Sequence, residues 1–162
     1  MSWILHRIDD RLIHGQVVIA WGERLRPQRI VVADDASASN AWEREVLGSS
    51  APGIEVSVLG LAAAAAMYES EQARAGGAFL LVRDLPSAHA MVVAGAPIPS
   101  LMLGGLHYAP GKEKVNEYVY LDAADRRAAR ALLDRGVKLE VQDVPASRPL
   151  SLESIDAAVR TS

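Results

Sequence analysis

The sequence contains no cysteine among its 162 residues. This absence excludes disulfide bonds, thiolate metal sites and a cysteine nucleophile, and it leaves the redox compartment open. The chain also lacks an excess of positive charge, because its formal net charge is −3 at pH 7. A general attraction to nucleic acid or to anionic lipid is therefore not expected, although a local basic patch stays open.

Long hydrophobic runs are missing as well. The longest run, LGLAAAAAM at residues 59–67, is well below the roughly 20 apolar residues that a membrane-spanning helix needs. The first ten residues, MSWILHRIDD, reach charged side chains too early for the apolar region of a secretory signal. We therefore expect a cytoplasmic protein that contacts a membrane only through partners.

The residues that are present predict one globular domain, since half are apolar and 23% are charged. Short continuous apolar runs alternate with helical apolar stripes along the chain. The runs predict strands at residues 3–8, 29–34, 54–59, 78–82, 100–105, 118–121 and 137–144. The stripes predict helices at residues 15–26, 39–47, 61–73, 86–95, 122–136 and 151–160. This alternation predicts a single α/β domain over residues 1–162, with a mostly parallel central sheet and helices on both faces.

Five ionisable residues lie close together in the segment RIDDRLIHGQVVIAW, residues 7–21. They are Arg7, Asp9, Asp10, Arg11 and His14. The segment leaves the first predicted strand at its carboxyl end and enters a helix near residue 15. Ligands of an open parallel sheet bind at that edge, and the positive end of a helix dipole favours anions. The sequence therefore predicts an anion site here.

The side chains of this segment suit a phosphate-like ligand. Arg11 offers a planar fork of donors, Gly15 lets the backbone come close, and Gln16 can donate from the first helical turn. His14 would then stabilise an anion, act as a general acid or take the phosphoryl group itself as a nucleophile. Either preceding aspartate could fix the tautomer of its ring, and the residues alone leave these choices open.

Four segments of the chain resemble one known protein family. They are RIDDRLIHGQVVIAW, RIVVADD, LGGLHYAPGKEKV and LLDRGVKLEVQDVP, and the resemblance runs from about residue 4 to residue 145. The family is the IIB component of the mannose/fructose/sorbose family of the bacterial phosphoenolpyruvate-dependent sugar phosphotransferase system (PTS). The motif RLIHGQV followed by a tryptophan is highly specific to it. The resemblance also implies a central, mostly parallel sheet, in agreement with the pattern of strands and helices.

The resemblance implies a phosphotransferase with a phosphohistidine intermediate. In the family, the histidine of RLIHGQV receives a phosphoryl group on Nδ1 from a IIA protein. It passes the group to a sugar that crosses the membrane through the IIC and IID components. His14 matches this histidine, Arg11 the arginine that contacts the phosphoryl group, Asp9 or Asp10 the acidic residues, and Arg7 a second basic position. No cofactor or metal is required, and with no IIA domain fused here the donor is expected to be a separate chain.

Two further residues, Arg83 and His107, follow strands that end at the same edge of the sheet. Arg83 is a candidate phosphate ligand or an ordinary surface residue, and His107 is a candidate for a role near the site. His6 and His89 are expected to be structural. We also expect the rim of the site to be exposed and partly apolar, with residues 12 and 13 and the loop at residues 106–112 as its candidates.

Two other functions compete with sugar transport. One is a regulatory phospho-acceptor of an incomplete phosphotransferase system that transports no sugar. The other is an enzyme that binds a nucleotide or phosphate ester and uses His14 as an acid. The chain lacks both G-x-G-x-x-G after the first strand and a P-loop, which counts against this last function.

Overall fold

A seven-stranded sheet forms the centre of the computed structural model, which describes residues 2–160. The strands are β1 (Trp3–Ile8), β2 (Arg29–Ala33), β3 (Glu55–Leu59), β4 (Ala78–Val82), β5 (Ser100–Leu103), β6 (Glu113–Lys114), β7 (Tyr120–Leu121), β8 (Lys138–Val141) and β9 (Leu150–Ser151). The order in the main sheet is β3-β2-β4-β1-β5-β8-β9, and β6 pairs with β7 separately. All neighbours in the main sheet are parallel except β9, which runs antiparallel to β8.

Helices connect the parallel strands. A π-helix (Gln16–Trp21) continues into α1 (Gly22–Leu25), and the others are α2 (Asp35–Ala38), α3 (Ala41–Gly48), α4 (Leu61–Gln72), α5 (Leu85–Val93), α6 (Ala123–Asp134), α7 (Leu152–Ile155) and a 3₁₀ turn (Ala157–Val159). Within residues 2–160, four of the α-helices begin where a side chain accepts a hydrogen bond from a first-turn amide; the capping residues are Asp34, Asn40, Asp84 and Asp122. Such caps satisfy amides that have no partner within the helix.

The two faces of the sheet are covered by different helices, because successive strand residues point to opposite sides. Val31 and Leu80 pack with α4, α5 and α6 in one apolar cluster. Their neighbours Ile30 and Phe79 pack with the π-helix and α3 in a second cluster. The predicted α/β fold, with a mostly parallel sheet and helices on both faces, is therefore confirmed.

Two predicted elements are wrong in detail. The short strand predicted at residues 118–121 is reduced to β7, outside the main sheet, because Asn116 accepts hydrogen bonds from the amides of Tyr118 and Val119. The expected helix at 151–160 is interrupted at Asp156, whose backbone is extended. Asp156 caps the 3₁₀ turn and forms a 2.9 Å ion pair with Arg126 of α6, so the chain turns towards that helix.

Candidate functional site

The ionisable segment lies at the carboxyl edge of the sheet, between the ends of β4 and β5. The amide of Asp9 donates to the carbonyl of Val82 at 2.9 Å, and that of Asp10 donates to the carbonyl of Gly105 at 2.9 Å. The chain then turns at Leu12, which has a positive φ of 57° and a buried side chain. Leucine rarely adopts this backbone region, so burial of the side chain in the core beneath the loop must hold the turn.

Asp9 is the centre of the site. Its buried carboxylate accepts from Nε2 of His14 at 2.9 Å and from the backbone amides of Arg11 at 3.1 Å and Gly105 at 3.2 Å. Nη2 of Arg7 is a fourth donor, at 3.4 Å. Because an ionised carboxylate only accepts, we assign the ring proton of His14 to Nε2. The lone pair then lies on Nδ1, and the geometry selects Asp9 as the aspartate that orients His14.

The charge of Asp9 is stabilised by these donors. Burial opposes ionisation, but the hydrogen bond from His14, the charge of that ring when it is protonated, the amide of Arg11 and the charge of Arg7 together lower the pKa of Asp9 below its usual value. The carboxylate is therefore ionised at neutral pH, and it can stabilise a positive charge on the ring of His14.

Arg7 lies beneath the site rather than on its surface. Its side chain is fully buried and donates to the carbonyls of Gln142 at 2.9 Å and Asp143 at 3.0 Å. A Cβ on Gly104 would come within 2.1 Å of its Nη2, so only glycine leaves room for the guanidinium there. This placement of the second basic position favours orientation of the site through Asp9 over direct contact with an anion that approaches from solvent.

Arg11, Gly15 and Gln16 form the exposed part of the site. The side chain of Arg11 is 47% exposed, and its nearest acceptors are distant: Asp9 at 3.7 Å from Nε and Gln16 at 3.4 Å from Nη2. Gly15 is exposed, and a Cβ built on it would meet no atom within 4 Å. The guanidinium therefore has donors available to an anion that approaches from solvent.

Asp10 has a different histidine as its partner. Its carboxylate binds Nδ1 of His107 at 2.7 Å and the backbone amide of His107 at 2.7 Å. The side chain of His107 is 52% exposed. The structure therefore brings His107, 93 positions further along the chain than His14, to the same edge.

Arg83 is engaged in a two-pronged ion pair. Nε and Nη2 donate to the two carboxylate oxygens of Asp34 at 3.1 and 2.9 Å, and Nη1 donates to the carbonyl of Asp10 at 3.3 Å. The guanidinium of Arg83 therefore joins Asp34, the residue that caps α2, to the backbone of Asp10 in the ionisable segment. This geometry favours a supporting role for Arg83 over direct binding of phosphate.

The expected exposed rim is wrong for Leu12 and Ile13, which are buried because the left-handed turn directs them into the core. Tyr108, which follows His107 in the loop after β5, is exposed, and so are two apolar side chains of α3, Trp42 and Val46. Trp42 and Val46 line a cleft of about 150 Å³ together with Arg11 and other residues. Their spacing of four positions on a polar helix, with no facing partner, is the sequence signal that would have found them.

The sequence matches a known family over nearly its whole length. The model of the family described as "PTS system sorbose subfamily IIB component" matches residues 3–160. The chain belongs to this family. It is 38% identical to the sorbose-specific EIIB component of Klebsiella pneumoniae over 150 residues, which cover 92% of this chain and 91% of the relative.

Two further comparisons agree. The mannose-specific EIIAB component of Escherichia coli K12 is 33% identical over 91% of this IIB chain, which spans 46% of that longer protein. The crystal structure of the IIBSor domain of the sorbose permease from Klebsiella pneumoniae superposes with a TM-score of 0.86. It is 35% identical, and the match covers 95% of each chain.

This membership makes the chain a phosphotransfer subunit of a sugar phosphotransferase system. Within residues 2–160, no helix has the length and apolar character to cross a membrane. The same residues contain no group of three or more histidine, aspartate or glutamate side chains that could hold a metal ion.

Proposed function

We propose that this IIB component accepts a phosphoryl group on Nδ1 of His14 from a IIA protein and passes it to a sugar carried by membrane IIC and IID components. The observation that supports it best is the 2.9 Å hydrogen bond between Nε2 of His14 and Asp9. This contact keeps the proton on Nε2 and leaves the nucleophilic lone pair on Nδ1. The ring is 13% exposed, so a partner can reach it while packing limits its motion.

The first transfer needs no movement of a proton. The lone pair on Nδ1 of His14 attacks phosphorus, and the bond from phosphorus to the donor's histidine breaks. Because Nε2 keeps its proton, the phosphorylated ring carries a positive charge, which the carboxylate of Asp9 stabilises. The arrangement suits phosphoryl transfer, where catalysis is mostly positioning and stabilisation of charge.

Arg11 is the proposed ligand of the phosphoryl oxygens. Its guanidinium is half exposed, always charged and held only by long contacts, so it can turn towards the group on His14. Gly15 and Gln16 begin the helix beside it, where backbone amides favour an anion. Arg7 and the amide of Gly105 act indirectly, because they fix the carboxylate that orients the histidine.

The partners follow from the family. One relative is named as an EIIAB component, which unites the IIA and IIB designations in one protein. The exposed Trp42 and Val46 beside Arg11 offer an apolar surface for transient docking of a IIA protein. A relay from such a donor would operate in the cytoplasm, as the sequence analysis expects.

An intact-mass experiment tests the proposal. The protein is incubated with phosphoenolpyruvate, enzyme I, the phosphocarrier protein and a cognate IIA protein, then quenched at high pH to preserve phosphohistidine. We expect one added phosphoryl group, lost in acid and absent from His14→Ala. His89→Ala on α5 is the matched control and should still be phosphorylated.

Two results would change the conclusion. Phosphorylation of His14→Ala to the wild-type level would refute the assignment of the acceptor. A phosphorylated wild-type protein that never transfers its group to a sugar in the presence of IIC and IID would favour the regulatory function instead.

A further inference from the structure

Two consecutive aspartates hold two histidines through opposite ring nitrogens. Asp9 binds Nε2 of His14 at 2.9 Å, whereas Asp10 binds Nδ1 of His107 at 2.7 Å. By the same reasoning as for His14, the proton of His107 lies on Nδ1 and its lone pair on Nε2. Nε2 of His107 has no hydrogen-bond partner in the part of the chain that the structure describes.

The two pairs meet at Gly105. A Cβ built on this glycine would lie 3.0 Å from Cε1 of His107, 3.3 Å from Nη2 of Arg11 and 3.4 Å from Oδ1 of Asp9. The His107 ring, the proposed phosphoryl ligand and the carboxylate that orients His14 therefore border one residue without a side chain. A group on Nδ1 of His14 that is bound by Arg11 would come close to this ring.

We propose that Nε2 of His107 is the base that takes the proton from the sugar hydroxyl in the second transfer. This inference rests on the proposed function, because it requires a phosphoryl group on His14 and a hydroxyl acceptor. Such a base is suited to the second transfer alone, since the first has no proton to remove. The hydrogen bond between Asp10 and His107 pairs an aspartate with a histidine, as is common for general bases.

The hydroxyl oxygen attacks phosphorus, its O–H bond breaks, and the proton moves to Nε2 of His107. The bond between phosphorus and Nδ1 of His14 breaks, and its electron pair returns to Nδ1. The ring of His14 is then a neutral imidazole again. His107 becomes an imidazolium that Asp10 stabilises, and it releases the proton to solvent through its exposed side.

The position of His107 agrees with this role in two ways. Its side chain is 52% exposed, so a sugar presented by another protein can reach Nε2. Its backbone amide and Nδ1 both bind Asp10, which limits movement of the ring. General bases placed in this way accelerate proton transfer by roughly 10²–10⁴-fold.

A purely structural role is the alternative, because the contacts with Asp10 also join the loop after β5 to the loop after β1. The variant His107→Asn separates the two roles. Its amide nitrogen can occupy the position of Nδ1 and keep the bond to Asp10, but it provides no base at Nε2. His89→Asn on α5 is the matched control, because His89 makes none of the contacts described for the site.

The experiment measures the two transfers separately. The first is the rate at which phosphorylated IIA protein phosphorylates each variant. The second is the loss of the phosphoryl group when the phosphorylated variant meets membrane vesicles that contain IIC and IID, with sorbose, mannose or fructose added in turn. We expect His107→Asn to retain the first rate within about 2-fold and to lose at least about 10²-fold of the second with the sugar that discharges the wild type.

The outcomes are distinct. Equal losses in both transfers, or no loss in either, would refute the role of His107 as a base while leaving the proposed function intact. A wild-type protein that is never phosphorylated, or that none of the sugars discharges, would overturn the proposed function and this inference with it.

Discussion

Replacing Asp9 with asparagine tests how the site stabilises phosphohistidine. Three donors converge on Oδ2 of Asp9, from His14, Gly105 and Arg7, whereas the backbone amide of Arg11 donates to Oδ1. The single oxygen of asparagine should therefore occupy the Oδ2 position, where it still accepts from His14. Asp9→Asn thus retains the orientation of the ring and removes the negative charge.

The expected magnitude follows from this loss of charge. An opposite charge close to an ionised group favours its charged form by roughly one pKa unit or more, and one unit corresponds to about 1.4 kcal/mol. The phosphorylated, cationic ring of His14 should lose about 1–2 kcal/mol of stabilisation relative to the neutral ring. Since about 1.4 kcal/mol corresponds to a factor of ten, the phosphorylation equilibrium should shift by roughly 5–30-fold towards the donor.

The assay is an equilibrium measurement with phosphorylated IIA protein, quenched at high pH and read by intact mass of both proteins. Asp10→Asn is the matched control, because this neighbouring carboxylate contacts His107 rather than His14. The buried charge of Arg7 loses a partner in Asp9→Asn, which destabilises the fold by at most about 3–5 kcal/mol, so folding is checked by circular dichroism. An unchanged equilibrium in folded Asp9→Asn, or an equal shift in Asp10→Asn, would refute the reasoning.

Three further predictions concern the packing beneath the site, the ligand of the phosphoryl group and the pH dependence of stability. Gly104→Ala would place a Cβ 2.1 Å from Nη2 of Arg7 and should lower the free energy of unfolding, measured in urea, by about 2–4 kcal/mol. Gly15→Ala is the control, because its Cβ meets nothing within 4 Å and should leave the free energy of unfolding nearly unchanged. Equal stabilities of the two variants would contradict the packing argument. Arg11→Gln should slow phosphorylation by about 10²–10³-fold with the fold intact, and a rate equal to wild type would exclude Arg11 as the phosphoryl ligand. Burial lowers the pKa of His6 to about 4, below the value near 6.5 of the unfolded chain. The unfolded state therefore binds a proton at a higher pH than the folded state does. The free energy of unfolding should consequently fall as the pH is lowered from about 6.5 to about 4. This loss should reach roughly 3 kcal/mol and be absent from His6→Gln, as measured by urea unfolding at several pH values; the same pH dependence in both proteins would disprove this origin.

The fold could be predicted from the sequence because its local signals agree with each other. The continuous run at residues 78–82 is a central strand that is buried on both faces, as its composition indicates. The helix predicted from residue 122 begins there, and Asp122 and Asp125 form a reciprocal cap at the start of α6. The site was predicted in the same way, since its ionisable residues follow a strand at the edge where ligands bind.

The pairing within the site could not be predicted, because it depends on contacts between distant segments. Arg7 donates to carbonyls more than 130 positions away along the chain, so its neighbours in the sequence do not indicate that it lies buried beneath the site. The choice between the two aspartates depends on the turn at Leu12 and on the loop after β5, which presents Gly105 to Asp9 and His107 to Asp10. Neither contact leaves a local pattern in the sequence.

The most direct measurement of the central claim is nuclear magnetic resonance of the phosphorylated protein labelled with ¹⁵N-histidine. Long-range proton–nitrogen correlations identify the ring nitrogen that carries the phosphoryl group. The hydrogen bond from Nε2 of His14 to Asp9 predicts phosphorylation at Nδ1 of His14, with Nε2 still protonated. A phosphoryl group on Nε2 of His14, or on another histidine, would contradict the account.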